Sequence, residues 1–354
     1  MRHKPKNKQT MKFLTHIAIA ASVAFALTSC SDHDSDAPSA GNIISFNASA
    51  PLGGRQVVTT NSLQDFKVWA FAEGKPYMSD VTVGRSDNGW SYTPSMYWPS
   101  ATPLNFYSYS PAIRTATATD SSNPDIPDFI NGGKTDLLYA VNIGETRVGL
   151  QASPVQINFR HALSQVRFQV RPRVAKAGEQ SLSVNVKALD LLGTNTVGSF
   201  NFPKNSTTIG NQVAGEWSDQ GSPEEKSIFK GEEMLNTDVA KELISTGYIF
   251  SIPQTLPKSD ISGNSYAGAY ARVLCEIFDR NTGVKIWPQA ADAVTDGAGY
   301  IYFPLSADQT SDAEWQLGKA YRYTLNIDVP ASSSKIDFDV TVEEYPDFID
   351  QQIN

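Results

Sequence analysis

Apolar and polar residues alternate along most of the chain after residue 40. Alternation at every second position is typical of strands with one buried face and one solvated face. The predicted strands contain the apolar series Ile44-Phe46-Ala48, Phe66-Val68-Ala70, Leu104-Phe106, Val155-Ile157-Phe159, Val166-Phe168-Val170, Leu182-Val184-Val186-Ala188, Tyr321-Tyr323-Leu325-Ile327 and Ile336-Phe338-Val340-Val342. Clusters of Gly, Pro, Asn and Ser lie between them, as turns require. The pattern predicts an all-β protein whose antiparallel sheets pack as sandwiches.

The length of 354 residues suits two domains. A polar segment with Pro and Gly runs from Arg171 through Glu179 and is the best candidate for a boundary. We therefore predict one β-sandwich domain over residues 43–172 and a second over residues 173–354. Helical spacing is confined to short stretches such as Glu232–Ser245, which predicts one or two helical turns in a loop.

The first 29 residues have the pattern of an export signal. Residues 1–12 are basic, and Ile17 to Leu27 is an apolar run of 11 residues. A transmembrane helix needs about 20 such residues, whereas a signal peptide needs fewer. The run ends in Leu27-Thr28-Ser29-Cys30, which resembles a bacterial lipobox, so we predict cleavage between Ser29 and Cys30 and lipidation of Cys30. Translation could begin at Met1 or at Met11.

Residues 30–42 form an acidic tail that we expect to stay flexible. Its beginning, Ser31 to Asp36, resembles the export signal of surface lipoproteins in the Bacteroidetes, and it could also be a plain solvated linker. Without the signal segment the chain has 24 basic residues against 37 acidic ones. Binding to nucleic acid needs a basic face, so this function is excluded.

The inventory of reactive side chains is short. Beyond the signal and the tail, the chain contains a single histidine, His161, and a single cysteine, Cys275. A zinc site built on histidines or on paired cysteines therefore has too few ligands, and no nucleotide-binding glycine loop occurs. We predict no catalytic residues, metal or cofactor. We expect Cys275 to be a buried thiol and His161 to tie a bend by hydrogen bonds.

Taken together, the ordered segments resemble the fimbrillin family of the Bacteroidetes, the lipoprotein pilins of type V pili. Besides the lipobox, the resemblance is carried by Ile43–Ala48, Arg55, Phe66–Phe71, Trp90–Tyr92, Tyr97–Pro99, Leu104–Pro111, Asp136–Ala140, Val155–Val170, Ile252–Gln254, Ile301–Leu305 and Trp315–Leu325. The resemblance implies two tandem transthyretin-like sandwich domains behind a lipoprotein signal peptide. It also implies a location at the outer membrane and cell surface, in a fimbrium.

The resemblance further implies assembly by strand exchange. An Arg-specific protease would cut after the first strand, and the C-terminal strand of another subunit would fill the groove that the lost strand leaves. Arg55, in a Gly-rich loop, is the candidate cleavage site, although it could be an ordinary loop arginine. Ile336, Phe338, Val340 and Val342 are the candidate donor residues. The same run could instead be the last strand of its own domain, with the donor at Phe348–Asn354, because Pro346 interrupts a longer strand.

The implied partners are other pilin subunits, the membrane through the lipid on Cys30, the protease, and a host or glycan ligand. The role could be that of a shaft, tip or anchor subunit. An alternative function is a surface lipoprotein that binds glycans without catalysis. For that function we expect exposed aromatic side chains that stack on sugars, with candidates Trp90, Tyr92, Tyr97, Trp98 and Trp287, although aromatic residues in β-sandwiches more often belong to the core.

Overall fold

The computed structural model describes residues 42–50, 62–112, 124–147, 153–207, 213–244, 248–258, 267–305 and 313–330, and the backbone of residues 338–344. All of them belong to one unit of the chain, Pro38–Asn354. In these ranges the chain forms strands and no α-helix, so the prediction of an all-β protein is confirmed. No helix in the described part is long and apolar enough to cross a membrane.

The strands follow one another in this order: β1 (Phe46–Ser49), β2 (Asp65–Ala72), β3 (Lys75–Ser86), β4 (Gly89–Ser91), β5 (Leu104–Ser110), β6 (Asp125–Ile130), β7 (Leu138–Glu145), β8 (Val155–Asn158), β9 (Arg160–His161), β10 (Ser164–Pro172), β11 (Leu182–Asn201), β12 (Glu216–Leu235), β13 (Lys241–Glu242), β14 (Ile249–Ser251), β15 (Gln254–Leu256), β16 (Tyr270–Asp279), β17 (Lys285–Trp287), β18 (Gly299–Pro304), β19 (Ala313–Trp315), β20 (Lys319–Ile327) and β21 (Phe338–Glu344).

Three larger sheets contain most of these strands. The first has six strands in the order β4-β3-β2-β5-β7-β9. The second runs β12-β11-β16-β17, with β18 beside β16 and β6 beside β11. The third runs β13-β10-β20-β21, with β14 beside β10. Two small sheets, β1-β8 and β15-β19, complete the described pairing. Most neighbours are antiparallel, but β1 with β8 and β10 with β20 are parallel.

Buried apolar side chains form three clusters. The first core joins the β1-β8 pair to the inner face of the first sheet. The second core lies between the second and third sheets. A third cluster, here called the bridging core, draws side chains from β5, β6, β7, β11 and β14, among them Phe129, Tyr139 and Phe200. Alternating burial along β10, where Val166, Phe168 and Val170 point inward, is the pattern that the sequence predicts.

One glycine marks a close approach of two chain segments. Gly193, in β11, has a φ of +72°, and a Cβ added there would lie 1.9 Å from the carbonyl oxygen of Gly268. The register between β11 and β12 shifts at this point, between Leu191 and Thr194. A side chain is therefore excluded by both conformation and space.

The helical turns predicted over Glu232–Ser245 are wrong, because Glu232 to Leu235 continue the strand β12 and Lys241–Glu242 form β13. Ser245 lies outside the described residues. The division into domains at residue 172 stays a prediction. The strand that ends at this point, β10, pairs with β13, β14 and β20, all of which follow it in the chain.

Candidate functional site

The first-strand segment, residues 42–50, lies between two main-chain partners. On one side, β1 pairs in parallel with β8, from Phe46 opposite Val155 to Ser49 opposite Asn158. The backbone N–H groups of Val155 and Phe159 donate to the carbonyl oxygens of Ser45 and Ser49, at 2.8 and 2.9 Å. These bonds give the segment the ladder of an inserted strand.

The beginning of the segment is bonded to a different part of the chain. The backbone N–H of Ile44 donates to the Met96 carbonyl at 2.8 Å, and that of Trp98 donates to the Asn42 carbonyl at 2.8 Å. An isolated antiparallel bridge joins Ile43 to Tyr97 between these bonds. The segment is thus held by β8 along its second half and by residues 96–98 along its first half.

Every second side chain of the segment enters the first core. Ile44, Phe46, Ala48 and Ala50 are each at most 5% exposed. Between them, the exposed side chain of Asn47 donates to Gln156 Oε1 at 2.9 Å. The prediction of an early strand with a buried series Ile44-Phe46-Ala48 is therefore confirmed, and the burial continues to Ala50.

Phe46 is the largest inward side chain of the segment. Its ring lies edge-on to those of Phe66 and Phe106, with centroids 6.0 and 5.8 Å away, and 5.6 Å from the ring of Tyr92. The Tyr92 hydroxyl donates to the Ile44 carbonyl at 2.8 Å. Burial raises the pKa of Tyr92 from its ordinary value, and the hydrogen bond with Met96 opposes that rise. Tyr92 therefore acts as a neutral donor to the segment.

The contacts of the first-strand segment outline the slot in which it lies. Its walls offer backbone groups on β8 and on residues 96–98, and its floor is the apolar first core. Such a slot accepts an extended peptide with apolar side chains at alternate positions. Residues 42–50 include no charged side chain, so recognition of the segment rests on ladder bonds and on apolar burial.

At the other end of the chain, β21 pairs antiparallel with β20. The register runs from Phe338 opposite Leu325 to Glu344 opposite Lys319, and includes Val340 and Val342. β21 is the edge of its sheet in the described pairing. In this chain the strand is thus bonded to its own β20. Its use as a donor stays a prediction, and the candidate Ile336 lies outside the described residues, as do Pro346 and Phe348–Asn354.

The remaining predicted positions at the beginning of the chain also lie outside the described residues. These are Ser29 and Cys30 at the predicted signal cleavage, and Arg55 at the predicted maturation site. Arg55 falls in the range 51–61, which connects the first-strand segment to the residues before β2. Their roles stay predictions.

The two reactive side chains singled out by the sequence are both buried. His161 Nδ1 lies 2.8 Å from Asp136 Oδ2, and neither side chain has exposed surface. His161 is also paired with Leu138 across β7 and β9. Together, this pairing and the bond to Asp136 tie the bend between β8 and β10 to the beginning of β7, as predicted. Cys275 is fully buried in the second core, and this burial raises the pKa of its thiol, as expected for a packing residue.

The expectation of exposed stacking aromatics is wrong for Trp98 and Trp287, which are 8% and 7% exposed. Trp98 packs on Phe106 at 5.9 Å, and the ring of Trp287 covers Gly299 so closely that a Cβ there would lie 2.5 Å from it. Trp90 and Tyr92 are half-buried against the first core, and Tyr97 is half-buried too. Among the described residues, no three His, Cys, Asp or Glu side chains are grouped so that they could hold a metal ion.

Comparison with known proteins gives the family of this chain. A fimbrial protein from Bacteroides vulgatus has a similar fold, with a TM-score of 0.58 and 16% identity over 86% of this chain and 99% of that one. A fimbrilin from Porphyromonas gingivalis aligns with a TM-score of 0.40 and 12% identity, over 87% of this chain and 99% of its own. No curated protein matches the chain. The model of the fimbrillin-like family matches residues 56–344, and the chain therefore belongs to the fimbrillin-like family.

Proposed function

We propose that this protein is a structural subunit, shaft or tip, of a type V fimbria that supports adhesion. It would be exported as a lipoprotein anchored to the outer membrane through Cys30 and would be assembled with other pilin subunits by protease-triggered strand exchange. The observation that carries this proposal is the first-strand segment. It fills an apolar slot between β8 and residues 96–98, and it is followed by the range that contains Arg55.

Cleavage at Arg55 by an Arg-specific protease would leave residues 42–50 attached only by non-covalent contacts. Loss of the segment would uncover the backbone edge of β8 and the apolar floor beneath Phe46. An unpaired edge beside exposed apolar surface is a strong template for another strand. The retained segment would therefore protect the precursor from premature polymerisation.

The candidate donor run matches the slot in its pattern. Ile336, Phe338, Val340 and Val342 repeat the spacing of Ile44, Phe46, Ala48 and Ala50, four apolar side chains at alternate positions. Burying such side chains contributes about 1.5–3 kcal/mol each. Association and ordering offset a large part of that sum, so the new ladder bonds are needed as well. Because β21 is an edge strand in the described pairing, its release would open its ladder with β20 alone.

This function requires no catalysis. The proposal therefore includes no enzyme activity, cofactor or nucleic acid, and its partners are pilin subunits, the membrane and an adhesion ligand. Two tandem transthyretin-like sandwich domains would position the slot in the first domain and the donor strand in the second.

The test compares two arginine variants of the full-length protein. Digestion of the wild type by a trypsin-like protease should yield a new terminus at Gln56 and oligomers that resist mild SDS. Arg55→Ala should block both. Arg114→Ala is the matched control, because it removes another arginine from a range outside the described residues, and it should assemble as the wild type does. Assembly of Arg55→Ala at the wild-type level would refute cleavage at this position.

Material sheared from cells tests the proposal in its native setting. N-terminal sequencing should give Gln56 for an assembled subunit. A blocked, lipidated Cys30 with the first strand retained would contradict assembly by strand loss, and would indicate an anchor subunit or a monomeric lipoprotein instead.

A further inference from the structure

A cleft of about 360 Å³ opens beside the bridging core, to which its lining residues Trp217 and Leu317 also belong. Its walls come from β12 and β15, each with a residue before it, and from β19 with the turn after it. The lining residues are Gly215, Trp217, Gln220, Pro253, Gln254, Thr255, Glu314, Trp315, Gln316 and Leu317. None of them belongs to the first-strand segment or to its partners, so strand exchange would leave the cleft open.

Trp315 is only 1% exposed, so most of the aromatic surface of this cleft comes from Trp217. Its indole N–H donates to the Ala162 carbonyl at 2.7 Å. Its ring packs against Phe129 and Phe200, with centroids 5.5 and 5.4 Å away. These contacts fix the ring on its inner side, while the half-buried side chain still lines the cleft. The ring of Trp217 is thus a rigid aromatic platform in the wall of the cleft.

Planar polar groups surround the platform. Gln220 donates to the Pro253 carbonyl at 2.9 Å, and Gln316 donates to Glu314 Oε2 at 3.1 Å. Gln254 is buried, and its amide bonds the backbone of Asn195 in both directions, at 2.7 and 3.1 Å, which fixes that wall. Side chains that are held by such bonds need little further ordering when a ligand binds.

The chemistry of the lining selects a ligand class. Among the lining residues that the structure describes there is no lysine, arginine or histidine, and Glu314 is the one acid, so these residues offer an anionic ligand repulsion and no counter-charge. An indole face suits the apolar face of a sugar ring, and amide and carboxylate oxygens suit its hydroxyl groups. The volume lies at the lower end of the range for small-ligand sites.

We propose that this cleft binds a neutral saccharide of one or two sugar units. The inference deepens the adhesion part of the proposed function, because it names the ligand class and the site. In this assignment Trp217 stacks on the sugar, Glu314 and Gln316 accept hydrogen bonds from its hydroxyls, and Gln220 borders the opposite wall.

The experiment uses the full-length precursor and isothermal titration with lactose, cellobiose, maltose and mannobiose as neutral probes. Sialyllactose serves as an anionic probe and a lysine tripeptide as a cationic one. At least one neutral disaccharide should bind, and Glu314→Gln should weaken that binding about tenfold or more. Glu216→Gln is the matched control, since Glu216 is an exposed acid on β12 outside the lining, and it should leave the affinity unchanged.

Tryptophan fluorescence supplies a second measurement. The chain has six tryptophans, and the sugar-induced change in emission should be lost in Trp217→Phe, which keeps a ring against Phe129 and Phe200. Binding that is equal in wild type and Glu314→Gln would overturn the proposal. So would a failure of all four disaccharides at about 10 mM, or binding of sialyllactose or of the tripeptide alone. Because Glu314→Gln should still form oligomers after digestion, failure of the saccharide site is distinguishable from failure of strand exchange.

Discussion

Phe46→Ala is the most direct test of the idea that inward side chains hold the first-strand segment in its slot. Phe46 is 5% exposed and has three aromatic neighbours. Truncation of a buried phenylalanine costs about 3–5 kcal/mol, because apolar burial is lost and a cavity is left. We expect this cost to appear first as easier local opening of the segment, since one short strand can open without the rest of the protein.

Hydrogen exchange measured by mass spectrometry reports that opening. A loss of about 3–5 kcal/mol corresponds to exchange that is faster by roughly two to four orders of magnitude. The affected peptides should be those that cover residues 42–50 and 153–159, whose backbone groups bond each other. Peptides from β16, in the second core, should keep their wild-type protection.

Asn47→Ala is the matched control on the same strand. Asn47 points outward, and its exposed hydrogen bond to Gln156 should contribute no more than about 0.5 kcal/mol. If Phe46→Ala and Asn47→Ala accelerate exchange equally, apolar burial is not what retains the segment. If Phe46→Ala accelerates exchange in β16 as strongly as in β1, the segment does not open locally, and the reasoning is refuted.

Three further predictions concern the rest of the protein. Gly193→Ala should lower the free energy of unfolding by at least about 2 kcal/mol in urea titrations, because its φ is +72° and the Gly268 carbonyl blocks a Cβ. Gly221→Ala, with nothing within 4 Å, should change it by less than about 0.5 kcal/mol. Burial lowers the pKa of Lys226 to about 8 from 10.5, so the unfolded chain binds more protons between these values. The free energy of unfolding should therefore rise across this range by about 1–2 kcal/mol more in the wild type than in Lys226→Met, and parallel pH profiles would contradict the assignment. Cys275 should resist iodoacetamide at pH 8 until urea unfolds the protein, and rapid labelling of Cys275 itself in the native state, located by peptide mass spectrometry, would contradict its burial.

The strands that line a core could be predicted from the sequence, because burial on one face imposes alternation. The structure buries every member of three predicted apolar series, Ile44-Phe46-Ala48, Val166-Phe168-Val170 and Tyr321-Tyr323-Leu325. The 20-residue β12 could not be predicted in this way. It pairs with β11 along one side, and most of its side chains are exposed, so its polar sequence shows no apolar period. The apparent helical spacing near Glu232 arose in that same polar stretch.

The pairing of strands that are distant in the chain could not be predicted from the sequence either. Alternation identifies Val155-Ile157 as a strand, but nothing local indicates that its partner is the parallel β1. The same holds for the cleft, since Trp217 comes together with Glu314 only through the folding of β12, β15 and β19. Two of the aromatic residues that the sequence suggested for sugar stacking, Trp98 and Trp287, are buried in the cores, because a large ring in a sandwich is more often needed for packing.

The parallel pairing of β1 with β8 also affects the time course of folding. Asn47 and Gln156 face each other across 109 positions of the chain, so the first strand has no partner until β8 has been synthesised. Contacts that close so long a loop form slowly and late. We therefore expect residues 42–44 to dock on residues 96–98 first and β1 to pair with β8 later, so that the edge of β8 stays open for an interval in a newly made subunit. During that interval its own first strand and the strands of neighbouring subunits compete for the same edge, and the tether gives its own strand the advantage in rate.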